Sequence, residues 1–398
     1  MSGGRAAHVG ARDRDEAVRL LCGLIALPYI APVHGGPGEW PRARYVLDAL
    51  AAVGIRASVY AYTDLTGTER PNVVALLGSG TRRLWFITHL DALAPSGWTS
   101  DPFTPRVEGD RVIGCGSSDN GQAVVASLVA LRRLSRHGIA HDIAIGFAFV
   151  ADQDGGSVYG AESLVSAGIF DQSDYVVVLD GGSTDGDELE VAEKSVLVAH
   201  VDATGTREHT GMGTVRANAL DALLGAAVHL LNMLRTRFGV EDADFHPATS
   251  TFEPTIITVD GAAFNMIPER ASLTIDCRLL PRHPIAKVKE AILSWCVQVP
   301  RMAARVGMEL DAGPSSRGAP VVGLLADVLC DRGVRPRQVG VGGGTVAAVF
   351  RRSGIPAVAW STVDAVEGQP EEYCRVSNLM RDADTIAAVC RAFGMAQG

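Results

Sequence analysis

The stretch "IAIGFAFVADQDGGSVYG", residues 143–160, decides the fold. Eight apolar residues in succession leave no polar face, so 143–150 reads as a strand covered on both sides. The chain then meets Asp152, Gln153, Asp154 and two glycines, the mark of a strand end opening into a loop. "RRLWFITHLD" (82–91) and "DYVVVLD" (174–180) behave alike and also finish on polar groups. Between them, "GQAVVASLVALRRLSRHG" (121–138) has helical spacing and stops at a glycine. Strands covered on both faces and alternating with helices predict an α/β domain, with a mostly parallel sheet and helices on both faces.

The pattern changes at Ser195. "SVLVAHVDATG" (195–205) alternates like a half-exposed strand, and a helix over 218–239 follows. Strands over 250–261 and 270–281, a helix over 285–299 and a strand over 307–313 complete a βαββαβ unit. The expected organisation is an α/β domain, 1–194 plus 313–398, with an inserted α+β domain, 195–312.

The 398 residues are 47% hydrophobic and 20% charged, which supports sizeable cores and argues against disorder. The net charge of −9 disfavours nucleic acid and anionic membrane surfaces as partners. No apolar run is long enough to span a membrane, and the polar N-terminal segment reads as a loose arm followed by a helix from Asp15. Seven widely spaced cysteines, none in a paired C-x-x-C, point to reduced thiols and a cytoplasmic protein. Any metal site must therefore use His, Asp and Glu.

Candidate ligands lie at strand ends, where open α/β sheets collect their ligands. His89 and Asp91 close one strand, Asp119 precedes a helix, Asp152 and Asp154 close the next strand and Asp180 the one after. Each acid alone reads as a turn or cap residue. Together, one imidazole and several carboxylates suit zinc or a harder divalent ion. Asp91 is spaced to hold the second ring nitrogen of His89.

The segments "THLDALAPSGWTSDPFTPRVEGDRVIGCGSSDN" (88–120), "ADQDGGSVYGAESLV" (151–165), "FNMIPERASLTIDCRLLP" (264–281) and "GGGTVAAVFRRSGIPAVAW" (342–360) carry a resemblance over nearly the whole chain. It is to the zinc-dependent aminoacylase, carboxypeptidase and succinyl-diaminopimelate desuccinylase superfamily of metallopeptidases. The resemblance implies that His89, Asp119 and Asp180 hold one zinc, with Asp119 bridging to a second. Asp91 matches the residue that orients the histidine, and Asp154 matches a glutamate of the second site. Asn265 and Arg278 match residues that hold a substrate carboxylate, and His209 one that polarises the scissile carbonyl across a dimer. Gly344 and Thr345 fall in the G-G-T segment, whose backbone N–H groups face substrate. The inserted domain matches a lid that mediates homodimerisation.

Two departures stand out. Gln153 occupies the general-base glutamate position, and Gly368 in "VEGQPEEYC" occupies that of the last zinc-binding histidine. An amide has no basic oxygen. The expectation is one metal ion per chain rather than two, or none, and impaired hydrolysis of a small N-acyl amino acid or peptide-like carboxylate. Asp154 or Asp152 is the candidate substitute base, and Glu367, Glu371 and Glu372 flank the missing imidazole. The alternatives are a repurposed enzyme that forms, transfers or cyclises amides, and a non-catalytic protein that binds small carboxylates.

Overall fold

The computed structural model describes residues 3–29, 32, 36, 38–138, 142–212, 217–261 and 263–395. The main elements in chain order are α1 (Gly3–Ile25), α2 (Trp40–Ala51), β1 (Ala57–Thr63), β2 (Glu69–Gly78), β3 (Arg82–His89), α3 (Ala123–His137), β4 (Ile143–Val150), β5 (Tyr175–Val178) and β6 (Glu188–Glu193). Then follow β7 (Ser195–Thr204), α4 (Ala219–Arg237), β8 (Thr251–Val259), β9 (Arg270–Leu279), α5 (Ile285–Gln298), β10 (Met302–Leu310), α6 (Pro320–Asp331), β11 (Ala357–Ala359) and α7 (Val376–Met395). The N-terminal arm differs from its reading as loose chain: α1 begins at Gly3, and its Ala- and Arg-rich first turns contain no proline to stop it.

The chain divides into two units. The first comprises Met1–Val191, Ser315–Gln338 and Thr345–Gly398. Its sheet runs β1-β2-β4-β3-β5-β11-β6. The four strands β4, β3, β5 and β11 are mutually parallel, and β1, β2 and β6 attach antiparallel at the flanks. Every residue of β4 is buried. On β3, Leu84 and Phe86 join one core with α1, α3, α6 and α7, whereas Trp85 and Ile87 join a second core on the opposite face. That two-sided burial is the physical cause of the continuous apolar runs.

Register places the strand ends together. His89 pairs with Val150, and the next amide, Leu90 N–H, donates to the Val150 carbonyl at 2.8 Å. Leu179 N–H donates to the Ile87 carbonyl at 2.8 Å. The polar residues that follow β3, β4 and β5 thus emerge from one edge.

The second unit comprises Ala192–Pro314 and Val339–Gly344. Its four-stranded antiparallel sheet has the order β8-β9-β7-β10. Alternate residues of β7 and β9, among them Leu197, Val201 and Ile275, pack against α4 and α5 around Leu230 and Val288. Asn218 caps α4 by accepting from Leu220 N–H at 3.0 Å, and Arg235 and Arg237 lie at its negative end. Residues 339–344 fall in this unit, although the sequence pattern assigns them to the α/β part. The cause is backbone pairing: Phe245 and His246 align with Gly340 and Val341, and Lys194 N–H donates to the Val341 carbonyl at 3.0 Å.

Candidate metal centre

His89 is the last residue of β3 and is 2% exposed. Its Nδ1 lies 3.1 Å from the Asp91 carbonyl and 3.2 Å from Asp91 Oδ1. Both neighbours are acceptors, so the proton belongs on Nδ1 and Nε2 is left as the donor atom for an electrophile. Nε2 sits 2.9 Å from Asp119 Oδ1, yet without the geometry of a hydrogen bond. Ligand atoms of His89, Asp119 and Asp180 all lie within 4.8 Å of one another. One imidazole and two carboxylates at that spacing suit a single divalent ion, with positions left for substrate or water.

Asp119 is positioned from behind. The Glu372 carboxylate accepts the N–H groups of Gly116 at 3.0 Å, Ser118 at 2.8 Å and Asp119 at 3.0 Å. Of the three glutamates around Gly368, Glu372 is therefore the buried structural one, and Glu371 pairs with Arg106 at the surface. Asn120 ties two strand ends: Oδ1 accepts from His89 N–H at 3.2 Å and Nδ2 donates to the Leu179 carbonyl at 2.8 Å. The Asp119–Asn120 peptide is cis. Asp180, two residues past β5, accepts the Gly181 N–H at 2.8 Å.

The turn after β4 separates its two acids. Asp152 is an ion-paired structural residue, which removes it as a substitute base. Its Oδ1 lies 3.0 Å from Arg70 Nη1, its Oδ2 accepts the Tyr159 N–H at 2.9 Å, and its φ is +65°. Those bonds hold a left-handed backbone that an aspartate adopts only when over-determined. Arg70 also grips Glu39, with Nε 2.9 Å from Oε1, and Tyr29 OH donates to the same oxygen at 3.1 Å. Asp154 instead feels the charges of Asp91, His89, Asp119 and Asp180. Its Oδ2 is buried without a hydrogen-bond partner, and its N–H donates to Asp91 Oδ2 at 2.8 Å. It lies outside the tight His89, Asp119 and Asp180 grouping.

The charges sense one another. Burial first, then Asp91, Asp119 and Asp180, push the Asp154 carboxyl up to about 7, against an opposing pull from His89. Asp180 also rises to about 7, through burial and then Asp119, again opposed by His89. Burial disfavours charged His89, but Asp119 and Asp91 outweigh it and raise its pKa well above the ordinary value. Burial opposes ionisation of Asp91, yet His89 and the backbone amides of Asp154 and Gln153 leave its pKa lowered. A divalent cation would draw Asp154 and Asp180 back to the ionised state.

The remaining candidates lie on the second unit or on the adjoining loop. His209 is exposed; its Nδ1 accepts the Gly211 N–H at 3.2 Å, and the Asn265 side-chain amide lies 3.3 Å from its Nε2. Arg278 is engaged by Asp276 through two bonds, at 2.7 and 3.0 Å. Gly344 belongs to the second unit and Thr345 to the first. Thr345 Oγ1 accepts the Ala347 N–H at 3.1 Å at the start of a short helix.

Sequence reasoning missed Glu39, Arg70 and Arg42. Arg42 is 2% exposed and donates from Nη1 to the Leu90 carbonyl at 3.1 Å, between His89 and Asp91. A lone arginine or glutamate in an amphipathic segment reads as solvated, and only long-range packing shows otherwise. A cavity of about 250 Å³ opens between α1, α2 and α3. Its charged groups pair locally, Glu16 with Arg19 and Arg132 and Asp13 with Arg133, and it holds no ligand set. Among the described residues no helix is long and apolar enough to cross a membrane, and all seven cysteines are free.

A parallel sheet that gathers an oriented imidazole and paired carboxylates at one edge is the framework of a metal-dependent peptidase. The sequence profile of peptidase family M20/M25/M40 matches residues 85–392, and the chain belongs to that family. An uncharacterised metallohydrolase of Methanococcus maripaludis is 29% identical, over 93% of this chain and 97% of its own. A succinyl-diaminopimelate desuccinylase of Rhizorhabdus wittichii is 25% identical, over 92% of this chain and 95% of its own. Among solved structures, an M20 family metallo-carboxypeptidase from Sulfolobus solfataricus superposes with a TM-score of 0.76 at 15% identity, covering 96% of this chain and 100% of that one. Human carnosine dipeptidase 1 superposes with a TM-score of 0.74 at 16% identity, covering 96% and 97%. The two solved structures establish the fold.

Proposed function

We propose that the protein is a metal-dependent amide-bond enzyme acting on a small N-acyl amino acid or peptide-like carboxylate, with ordinary hydrolysis weakened by Gln153. The observation that carries this reading is the buried His89, oriented by Asp91 and set against Asp119 and Asp180, beside a turn whose central residue is an amide. The relatives support the substrate class through a desuccinylase, a metallo-carboxypeptidase and a dipeptidase.

His89, Asp119 and Asp180 would hold one zinc or other divalent ion. Bound there, it supplies Lewis-acid polarisation of a carbonyl. Asp91 fixes the imidazole tautomer. Asp154, with a buried free carboxylate oxygen, is the group placed to accept a proton where Gln153 cannot. On the second unit, Arg278 and Asn265 are assigned to a substrate carboxylate and His209 to a carbonyl oxygen, with Gly344 and Thr345 on the substrate side. A homodimer through the second unit is supported by the exposed apolar residues Leu224 and Val228 on α4 and Ile256 and Ile257 on β8. Reduced cysteines favour a cytoplasmic setting.

Gln153 also favours a second reading, in which an amine rather than water attacks the polarised carbonyl and an amide is formed or exchanged. Incubating the metal-loaded protein with N-succinyl and N-acetyl amino acids, with and without added amines, separates the two by mass spectrometry. Free amino acid alone supports hydrolysis, and a new amide supports transfer. No product from any such substrate overturns both.

A further inference from the structure

Arg42 stands where a cation is least favoured. It lies in the first turn of α2, at the positive end of the helix dipole, and is 2% exposed. Among the described residues, its Nε and Nη2 have no hydrogen-bond partner. Its Cζ lies over the Tyr29 ring, 5.3 Å from the centroid. Burial lowers its pKa, against the opposing effects of Cys115, Tyr29, Glu372 and Asp91. A buried guanidinium with bonds left unmade is costly, so a specific interaction has to offset it.

Its contacts fall on the two segments that carry metal ligands. Nη1 donates to the Leu90 carbonyl at 3.1 Å, and Leu90 separates His89 from Asp91. Leu90 N–H is itself bonded to the Val150 carbonyl at 2.8 Å, so both polar groups of that residue are engaged. Gly116, three residues before Asp119, has a left-handed backbone, φ +70°. A Cβ built on it would meet Arg42 Nη2 at 2.9 Å and Nη1 at 3.5 Å. Glycine is what lets the loop come down beside the guanidinium. The Gly116 N–H is bonded to the Glu372 carboxylate at 3.0 Å, so the loop is held between the acid and Arg42.

We infer that Arg42 is a positioning residue of the metal centre, whose planar fork sets the His89–Asp91 segment against the Asp119 loop. This rests on the metal-centre reading above. The sign of the effect separates positioning from a charge acting at a distance. A positive charge near the centre repels a cation, so removing it strengthens metal binding through space, whereas loss of positioning weakens binding. Lysine carries the same charge without the five-donor plane.

Calorimetric titration of the metal-free full chain with zinc is the test, with circular dichroism to verify folding. Arg42→Met is expected to weaken zinc binding roughly tenfold, the scale of groups that orient ligands from behind. Arg42→Lys keeps the charge, so its loss, expected at about three- to tenfold, comes from the missing fork. If Arg42→Met does not fold, Arg42→Lys decides alone. Equal or tighter binding in Arg42→Met, or an affinity in Arg42→Lys indistinguishable from wild type, overturns the inference. Failure of both variants to fold assigns Arg42 to the fold instead and overturns it as well. His89→Ala separates the levels. If it abolishes binding while the Arg42 variants match wild type, only the role of Arg42 is wrong; if it leaves binding intact, or if wild type binds no zinc, the metal centre itself is wrong and this inference falls with it.

Discussion

The amide of Asp154 donates to Asp91 Oδ2 at 2.8 Å, so the strand carrying His89 and the turn carrying Gln153 are fastened to one carboxylate. Asp91 thus has two tasks: it fixes the imidazole and it sets where residues 153 and 154 stand. Asp91→Ala is expected to lower metal affinity by roughly 10- to 100-fold, as for other partners of ligating histidines. Isothermal titration calorimetry checks this, and an unchanged affinity would remove Asp91 from the centre.

Restoring the acid at 153 is the direct probe of the chemistry. Gln153→Glu keeps the shape and adds a basic oxygen. Hydrolysis of N-acyl amino acids is expected to rise by roughly 10²- to 10⁴-fold, the range of general-base assistance. A chromatographic assay of released amino acid reads the outcome. No increase, with metal content unchanged, would mean that the amide is not what limits hydrolysis.

Metal binding and pH are linked through Asp154, Asp180 and His89. Two carboxyls lifted to about 7 bind protons in the folded state that the unfolded chain has already released. Their contribution to stability therefore falls as pH rises through the interval from the ordinary carboxyl range to about 7. His89, whose pKa is also raised, contributes stability at low pH that is lost as pH climbs through its folded value. The metal-free protein is expected to melt at a lower temperature at pH 8 than at pH 5. A divalent cation stabilises the ionised carboxylates, so the increase in melting temperature on adding metal should be larger at pH 8. Scanning fluorimetry at both pH values suffices, and a metal shift equal at both would contradict the linkage.

Arg70 holds the Asp152 turn from beneath, with Glu39 and Asp64 as its other carboxylate partners. Arg70→Met leaves three acids without their cation. The expected loss is about 3–5 kcal/mol, as for a broken buried pair. Denaturant unfolding measures it, and a loss below about 1 kcal/mol would show that the network is dispensable.

Arg278 gives a kinetic prediction. Its fork is bonded to Asp276, which holds it in one orientation. If it grips a substrate carboxylate, Arg278→Ala should raise KM roughly 10- to 100-fold, the value of a charged hydrogen bond, with a smaller effect on kcat. An unchanged KM would return Arg278 to a structural role.

The sequence by itself determined the two-sided strands, because all of β4 and the centre of β3, Leu84–Ile87, are buried on both faces and must be apolar. It also determined the inserted antiparallel sheet, whose alternation follows from one packed face, and the family, whose motifs are local strings. His89 and Asp180 were legible as residues at or just past strand ends, and Asp119 as an acid just ahead of a helix. What only the tertiary structure decided is which acids serve the centre and which serve the scaffold. Asp152 and Asp154 are indistinguishable on paper, two residues apart in one turn. Arg70, from another strand, neutralises the first, whereas the second is fastened through its N–H to Asp91 and keeps a buried carboxylate oxygen without a hydrogen-bond partner. Glu371 and Glu372 differ in the same way, one at the surface and one bonded to three amides of the Asp119 loop. Such assignments depend on partners tens to hundreds of residues away, and no local pattern encodes an ion pair formed across that distance.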